Sequence, residues 1–263
     1  MASDAPDFSP LAAAYARARP RYPRELYDWL AAESPSTELA WDCATGSGQA
    51  AIGVAERFRR VVATDLSEEQ IGHAHPHPRV EYRVARAESS GLPDGAVDLV
   101  TVAAAAHWFD VPAFGAEAAR VLRPGGLLAV WSYHAGIAEA PFDRVFDRLY
   151  VDVLKPYFAS GARYVDERYE TLDLPGTPVA APRFEIVCRW TLAQTLDYIG
   201  SWSATASYRR ANGRDPVDAI RSELESLFDK EPGEPDERTL RLPIFLRVQR
   251  LGAAASRAME EGR

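Results

Sequence analysis

The side chains best placed for chemistry begin in the stretch AWDCATGSGQAA, residues 40 to 51, where an apolar strand end meets Asp42 and then Gly46 and Gly48. Glycines there let the backbone turn sharply and bring N–H groups and a helix start against a ligand. The next apolar run, VVATD, ends in Asp65, a carboxylate able to accept both hydroxyls of a ribose. Read from Gly46, the spacing G-S-G-Q-A-A fits the dinucleotide fingerprint G-x-G-x-x-A. Read from Asp42, it fits D-x-G-x-G-x-G with Ala44 in place of the first glycine. The spacing alone therefore serves either a nicotinamide dinucleotide or S-adenosylmethionine. Charge separates them. Asp42 would repel a pyrophosphate at the turn but attract a sulfonium and an ammonium. The chain also lacks the Y-x-x-x-K pair with which short-chain dehydrogenases relay protons. The electrostatics favour S-adenosylmethionine.

A second set of reactive types follows. His107 and Trp108 close the stretch VAAAAHW; the histidine can accept a proton, orient a substrate, or form a hydrogen-bonding wall beneath a cofactor. Arg19 stands among Tyr15 and Tyr22 in YARARPRYP and can pair with a carboxylate or simply be solvated. Trp202, Tyr208, Arg209 and Arg210 in SWSATASYRR either line a pocket or pack a late helix. His73, His75 and His77 in HAHPHP invite a metal reading. Two prolines break their spacing and no cysteine or acidic cluster accompanies them, so an exposed connector is expected and no metal.

These residues need a scaffold that alternates strand and helix. Strand patterns cover 38–41, 60–65, 79–85, 96–104 and 127–133. Helical patterns cover 48–58, 67–74 with Ser67 as cap, and 110–122 with Asp110 as cap, stopped by RPGG. That alternation implies right-handed crossovers and a parallel sheet. Beyond residue 133 the rhythm breaks. A helical piece from Phe142 to Leu154 leads into proline-rich irregular chain. Two alternating strands, FEIVCRWTL and TLRLPIFLRV, enclose an aromatic helical stretch at 195–213. Their alternation suits strands near a sheet edge, and Pro243 argues for an edge or a bulge.

The bulk properties set outer bounds. The 263 residues suffice for one large α/β domain, and a net charge of −8 argues against a protein that grips nucleic acid. Cys43 and Cys188 read as buried free thiols of a reducing compartment. No apolar run approaches a membrane span and the opening residues form no signal peptide, so a cytoplasmic protein is expected. Its expected partner is a small-molecule substrate, with no nucleic acid and no membrane, acting as a monomer or homodimer.

Six segments in register resemble a known family. They are YARARPRYP, DCATGSGQA, VVATDLSEEQI, VARAESSGLPDGAVDLV, AAAAHWFD and VLRPGG. The chain resembles the class I S-adenosylmethionine-dependent methyltransferases (type 11 domain), in the small-molecule branch of the trans-aconitate and cantharidin enzymes. The resemblance implies one Rossmann-like, doubly wound α/β domain. Its mostly parallel seven-stranded sheet would carry an antiparallel C-terminal edge strand and a helical cap. Residues 1–35 would be an N-terminal lid, 36–133 the cofactor core, 134–182 a cap insertion and 183–263 the last strands and a cap helix. S-adenosylmethionine would be held by Tyr15, Arg19, Asp42, Ala44, Thr45, Gly46, Gly48, Gln49, Asp65, Leu66, Ala87, Glu88, Ala103 and Ala104. Tyr22, Tyr133, Trp202, Tyr208 and Arg209 would face the substrate, and His107 and Trp108 the reacting atoms. Ala44 replaces a glycine, which an ordinary φ would tolerate. Arg86 stands where many relatives have an aspartate for adenine, leaving backbone groups around Ala87, with Glu88, to recognise the base. Ala104 and Ala106 imply a roomy pocket before the His–Trp pair.

Overall fold

The computed structural model describes residues 19–133, 140–229 and 236–252. Helix α1 (Arg24–Glu33) leads into β1 (Leu39–Cys43), α2 (Gln49–Ala55), β2 (Arg60–Asp65), α3 (Glu68–Gly72) and β3 (Val80–Val84). The chain then crosses to β4 (Val97–Ala103), followed by α4 (Val111–Val121) and β5 (Leu122–Tyr133). Both expected caps form: Ser67 accepts from the Gln70 amide and Asp110 from the Ala113 amide. RPGG does not end before β5 as the sequence pattern suggests. It lies inside that strand as an irregularity, with Gly125 at φ 82°.

Strands β1 to β5 are parallel in the order β3-β2-β1-β4-β5. Each central strand is buried on both faces, the reason these runs read as nearly continuous apolar sequence. Alternate residues feed opposite layers. Ala40, Leu99, Leu127 and Trp131 meet Leu26, Leu30, Val54 and Phe146 on one face. Trp41, Val100, Leu128 and Val130 meet Phe114, Ala118 and Val121 of α4 on the other.

The later chain supplies the cap and the sheet's far side. It runs through α5 (Ala140–Asp147), a π-helical stretch (Arg148–Leu154), α6 (Ala162–Asp166), β6 (Thr177–Val179) and β7 (Phe184–Thr191). Helices α7 (Leu192–Gly200), α8 (Ser203–Asn212) and α9 (Arg221–Phe228) precede β8 (Glu237–Arg250). The sheet has eight strands, not seven, because the last position is shared by β6 and β7. Both pair with β8, β6 near residues 248–250 and β7 along 237–244. The antiparallel strand is therefore not at the edge: β8 runs between β5 and these two. Pro243 is tolerated because pairing with β5 ends at Ile244, so β8 is locally one-sided there. Among the described residues no helix is long and apolar enough to cross a membrane.

Candidate active site

The chain reverses direction across the sheet between β1 and β4, and open α/β sheets bind ligands at the carboxyl ends of strands at such a switch point. The loop leaving β1 passes through Ala44, Gly46 and Gly48 at φ 54°, 55° and 85°. Ala44 thus does not have the ordinary φ that would have made its methyl group harmless. It occupies the left-handed region, at a cost of roughly 1–2 kcal/mol. Asp42, next to last in β1, is fully buried, its two carboxylate oxygens each accepting a hydroxyl at 2.6 Å, from Thr45 and Thr101. Burial raises its pKa to about 6 in spite of those hydrogen bonds. Asp65 accepts the Gly46 amide at 2.8 Å and the Ser67 amide at 2.9 Å, so it ties the loop to β2. Burial raises its pKa as well, and these amides oppose the shift.

A cavity of about 610 Å3 opens over these strand ends. Of the residues expected at the cofactor, it is lined by Arg19, Asp42, Ala44, Thr45, Gly46, Gln49, Asp65, Leu66, Ala87, Glu88, Ala103 and Ala104. Tyr22 and Tyr133 line it too. Gly48 does not. It caps α2 with the Tyr82 ring against it, where a Cβ would lie 2.1 Å from the phenol oxygen. Tyr15 lies outside the described residues. Arg86 pairs with Glu88 at 3.2 Å on the wall. The loop carrying Ala87 and Glu88 is anchored from α4, because Glu117 accepts both the amide and the hydroxyl of Ser90.

A smaller cavity of about 110 Å3 adjoins the first, and the two share Arg19, Ala104, Trp108 and Tyr133. Its walls are aromatic and come largely from the cap: Tyr150, Phe158, Tyr198 and Trp202, with His107. Arg19 donates to the Tyr133 hydroxyl at 3.1 Å, and its guanidinium lies 5.8 Å from the centre of the Tyr198 ring. His107 Nδ1 lies 2.9 Å from the Tyr169 hydroxyl. Burial, then the positive charge of Arg19, pushes the His107 pKa down to about 3, so the imidazole is neutral at physiological pH.

Tyr208 and Arg209 are not brought to either cavity. Trp202 stands at the N-cap of α8, whereas these two lie further along it and are drawn elsewhere. Tyr208 packs edge-on against Tyr157 and accepts from Arg214; Arg209 pairs with Asp215 at 2.6 Å. Arg163 stacks on Tyr164 and is no wall residue either. His73 and His77 bond locally, to the Glu69 carbonyl and Glu56. Tyr169, Tyr150, Phe158 and Tyr198 are the site residues that sequence reasoning missed. Tyr198 sat in a stretch recognised as unusually aromatic; Tyr169 had no signal.

Residues 41–130 match the family described as a methyltransferase domain. A Dictyostelium discoideum protein named a methyltransferase is 31% identical over 253 residues, covering 91% of this chain and 92% of that one. The chain belongs to the class I S-adenosylmethionine-dependent methyltransferases. This methyltransferase also superposes on a structure described as a type II methyltransferase from Anaeromyxobacter dehalogenans. The TM-score is 0.79 and the identity 43%, over 89% of this chain and 98% of that one. A methyltransferase structure from Bacillus halodurans, at 23% identity and TM-score 0.51 over 88% and 99% of the two chains, shares the fold. Family membership implies S-adenosylmethionine binding, and the large cavity fits that group. Its volume is that of a cofactor site, and acids rather than a basic phosphate cradle line its floor.

Proposed function

We propose that this methyltransferase methylates a small organic acid, as in the trans-aconitate and cantharidin branch that its sequence resembles. The observation that carries the reading is the smaller cavity. Arg19 and a neutral histidine line it, aromatic rings enclose it, and no carboxylate of the described residues does. An anionic acceptor suits such a lining, and a carboxylate is already deprotonated at neutral pH.

The large cavity would take the cofactor with Asp65 at the ribose, Leu66, Ala87 and Glu88 around the adenine, and Arg19 toward the carboxylate end. When bound, S-adenosylmethionine supplies a methyl group on a strongly electrophilic sulfonium. The protein's task is alignment and exclusion of water, and proximity carries much of such a rate. Trp108 and Tyr133, on the shared wall, would fix the line between the two occupants. His107 serves as a wall and donor here. With its pKa near 3 it is too weak a base to deprotonate a phenol or an alcohol.

Two measurements test the reading. S-adenosylmethionine and S-adenosylhomocysteine should raise the melting temperature while NADH and NADPH do not, since a ligand stabilises by mass action. A screen of small carboxylic acids and phenols with labelled methyl donor should then find an acid. On that acid His107→Ala should keep more than about a hundredth of the wild-type rate. Turnover on phenols alone, with a sigmoidal pH–rate dependence near neutrality lost in His107→Ala, would overturn the acid reading.

A further inference from the structure

Tyr169 is fully buried at φ 60°, a conformation that bulky side chains rarely hold and that persists only where the surroundings impose it. Here they do. Its amide donates to the Tyr164 carbonyl at 2.6 Å, and its own carbonyl accepts from Arg247 of β8 at 2.6 Å. Arg247 also holds the Leu172 carbonyl at 2.7 Å, and the Tyr169 ring stands edge-on to Phe245. From below, Gly161 lies directly against the His107 carbonyl. This bracing holds the phenol oxygen 2.9 Å from His107 Nδ1 and the phenol ring stacked near the imidazole.

A neutral imidazole has one N–H and one bare nitrogen, and the bond made by one nitrogen decides the state of the other. Of the two groups that meet here, the phenol O–H is the stronger acid and the bare imidazole nitrogen the stronger base. The favoured arrangement is therefore O–H donating to Nδ1. His107 Nε2 hydrogen-bonds no other described residue, and the ring lines the smaller cavity.

We infer that Tyr169 is a positioning residue that fixes His107 as its Nε2–H tautomer, so that the histidine offers a hydrogen-bond donor to the acceptor in the smaller cavity. What that donor holds rests on the methyltransferase reading; the tautomer does not. With the Arg19 guanidinium on the same walls, the cavity then demands an oxygen lone pair from its occupant. A carboxylate can give one oxygen to these donors and keep the other for reaction. An acceptor bringing only N–H groups or a cation is refused, because its donors and those of the wall would both go unpaired.

The tautomer is readable without any substrate. Long-range proton–nitrogen correlation spectra of the full chain labelled at histidine nitrogen distinguish Nε2–H from Nδ1–H, and the signal missing in His107→Gln identifies His107. The expected result is a neutral Nε2–H ring from about pH 5 to 8, and a mixture of tautomers in Tyr169→Phe. An Nδ1–H ring in the wild type, or a Tyr169→Phe spectrum unchanged from it, overturns the inference. If Tyr169→Phe does not fold, the wild-type spectrum alone still decides. Adding S-adenosylhomocysteine to the same sample tests the cofactor reading apart: failure to bind would sink that reading and leave the tautomer standing.

Discussion

A Cβ on Gly161 would lie 1.9 Å from the carbonyl oxygen of His107, so the cap passes the strand-end loop with room for no side chain. The glycine is present for close approach and not for its backbone angles, which are helical. Gly161→Ala should therefore force the cap and the His107 turn apart. Overpacking of this kind costs about 1–3 kcal/mol, read as a lower melting temperature. Affinity for S-adenosylhomocysteine should hold within a few-fold, because neither Gly161 nor His107 lines the large cavity. Methyl transfer should fall further than that affinity does. An alanine variant as stable and active as wild type would show that the contact is slack.

Asp65→Ala should weaken both binding and folding. A carboxylate whose role ended at the ribose would matter little to the fold. Asp65 also secures the amides of Gly46 and Ser67. Each hydrogen bond to a charged group contributes about 1.5–3 kcal/mol, so calorimetry should find a reduced melting temperature along with weaker S-adenosylhomocysteine binding. Asp65→Asn should recover part of the stability. Full retention of both properties in the alanine variant would place the ribose and the loop anchor elsewhere.

Asp42 predicts a pH dependence with a definite sign. Its folded pKa, raised to about 6 from 3.8, means that the folded chain holds this proton more tightly than the unfolded chain. The ionised side chain thus penalises the fold fully above pH 6, by on the order of 3 kcal/mol, and the penalty fades as pH falls toward 4. A cationic ligand beside Asp42 favours the ionised form, so binding of S-adenosylmethionine near pH 6 should release protons and should tighten as pH rises through 6. Titration calorimetry in buffers of different ionisation enthalpy reads that release. Asp42→Asn should abolish it; a variant with unchanged proton release would assign the effect to another group.

The parallel core was legible because its strands, buried on both faces, leave continuous apolar runs that end in Asp42 and Asp65 at the positions ligands use. Ser67 and Asp110 announced their helices by simple capping chemistry. The rest depends on quantities a sequence does not display. Nothing about Ala44 as a letter reveals a left-handed φ. The face that α8 turns to the cavity is set by the break at Trp202, and Asp215 draws Arg209 away. Tyr169 is silent in the sequence for the same reason. It is held by Arg247 from a strand nearly at the end of the described chain, and no local pattern encodes that meeting. The seventh sheet position looked like one strand because two short pieces share one long partner.

That shared partner has a consequence for how the chain reaches its fold. Leu127 of β5 pairs with Arg250 of β8, and among the described residues β6 and β7 pair with β8 alone. Until β8 arrives, β5 presents an apolar, unpaired edge, the kind of surface on which incomplete chains aggregate. Contacts between residues so distant in sequence form slowly, because a long loop must close before any of them is gained. A growing chain would therefore carry a nearly finished cofactor core with an open flank from the completion of β5 at Tyr133 until β8 follows from Glu237, and a chain cut before residue 237 would leave β5, β6 and β7 without their shared partner.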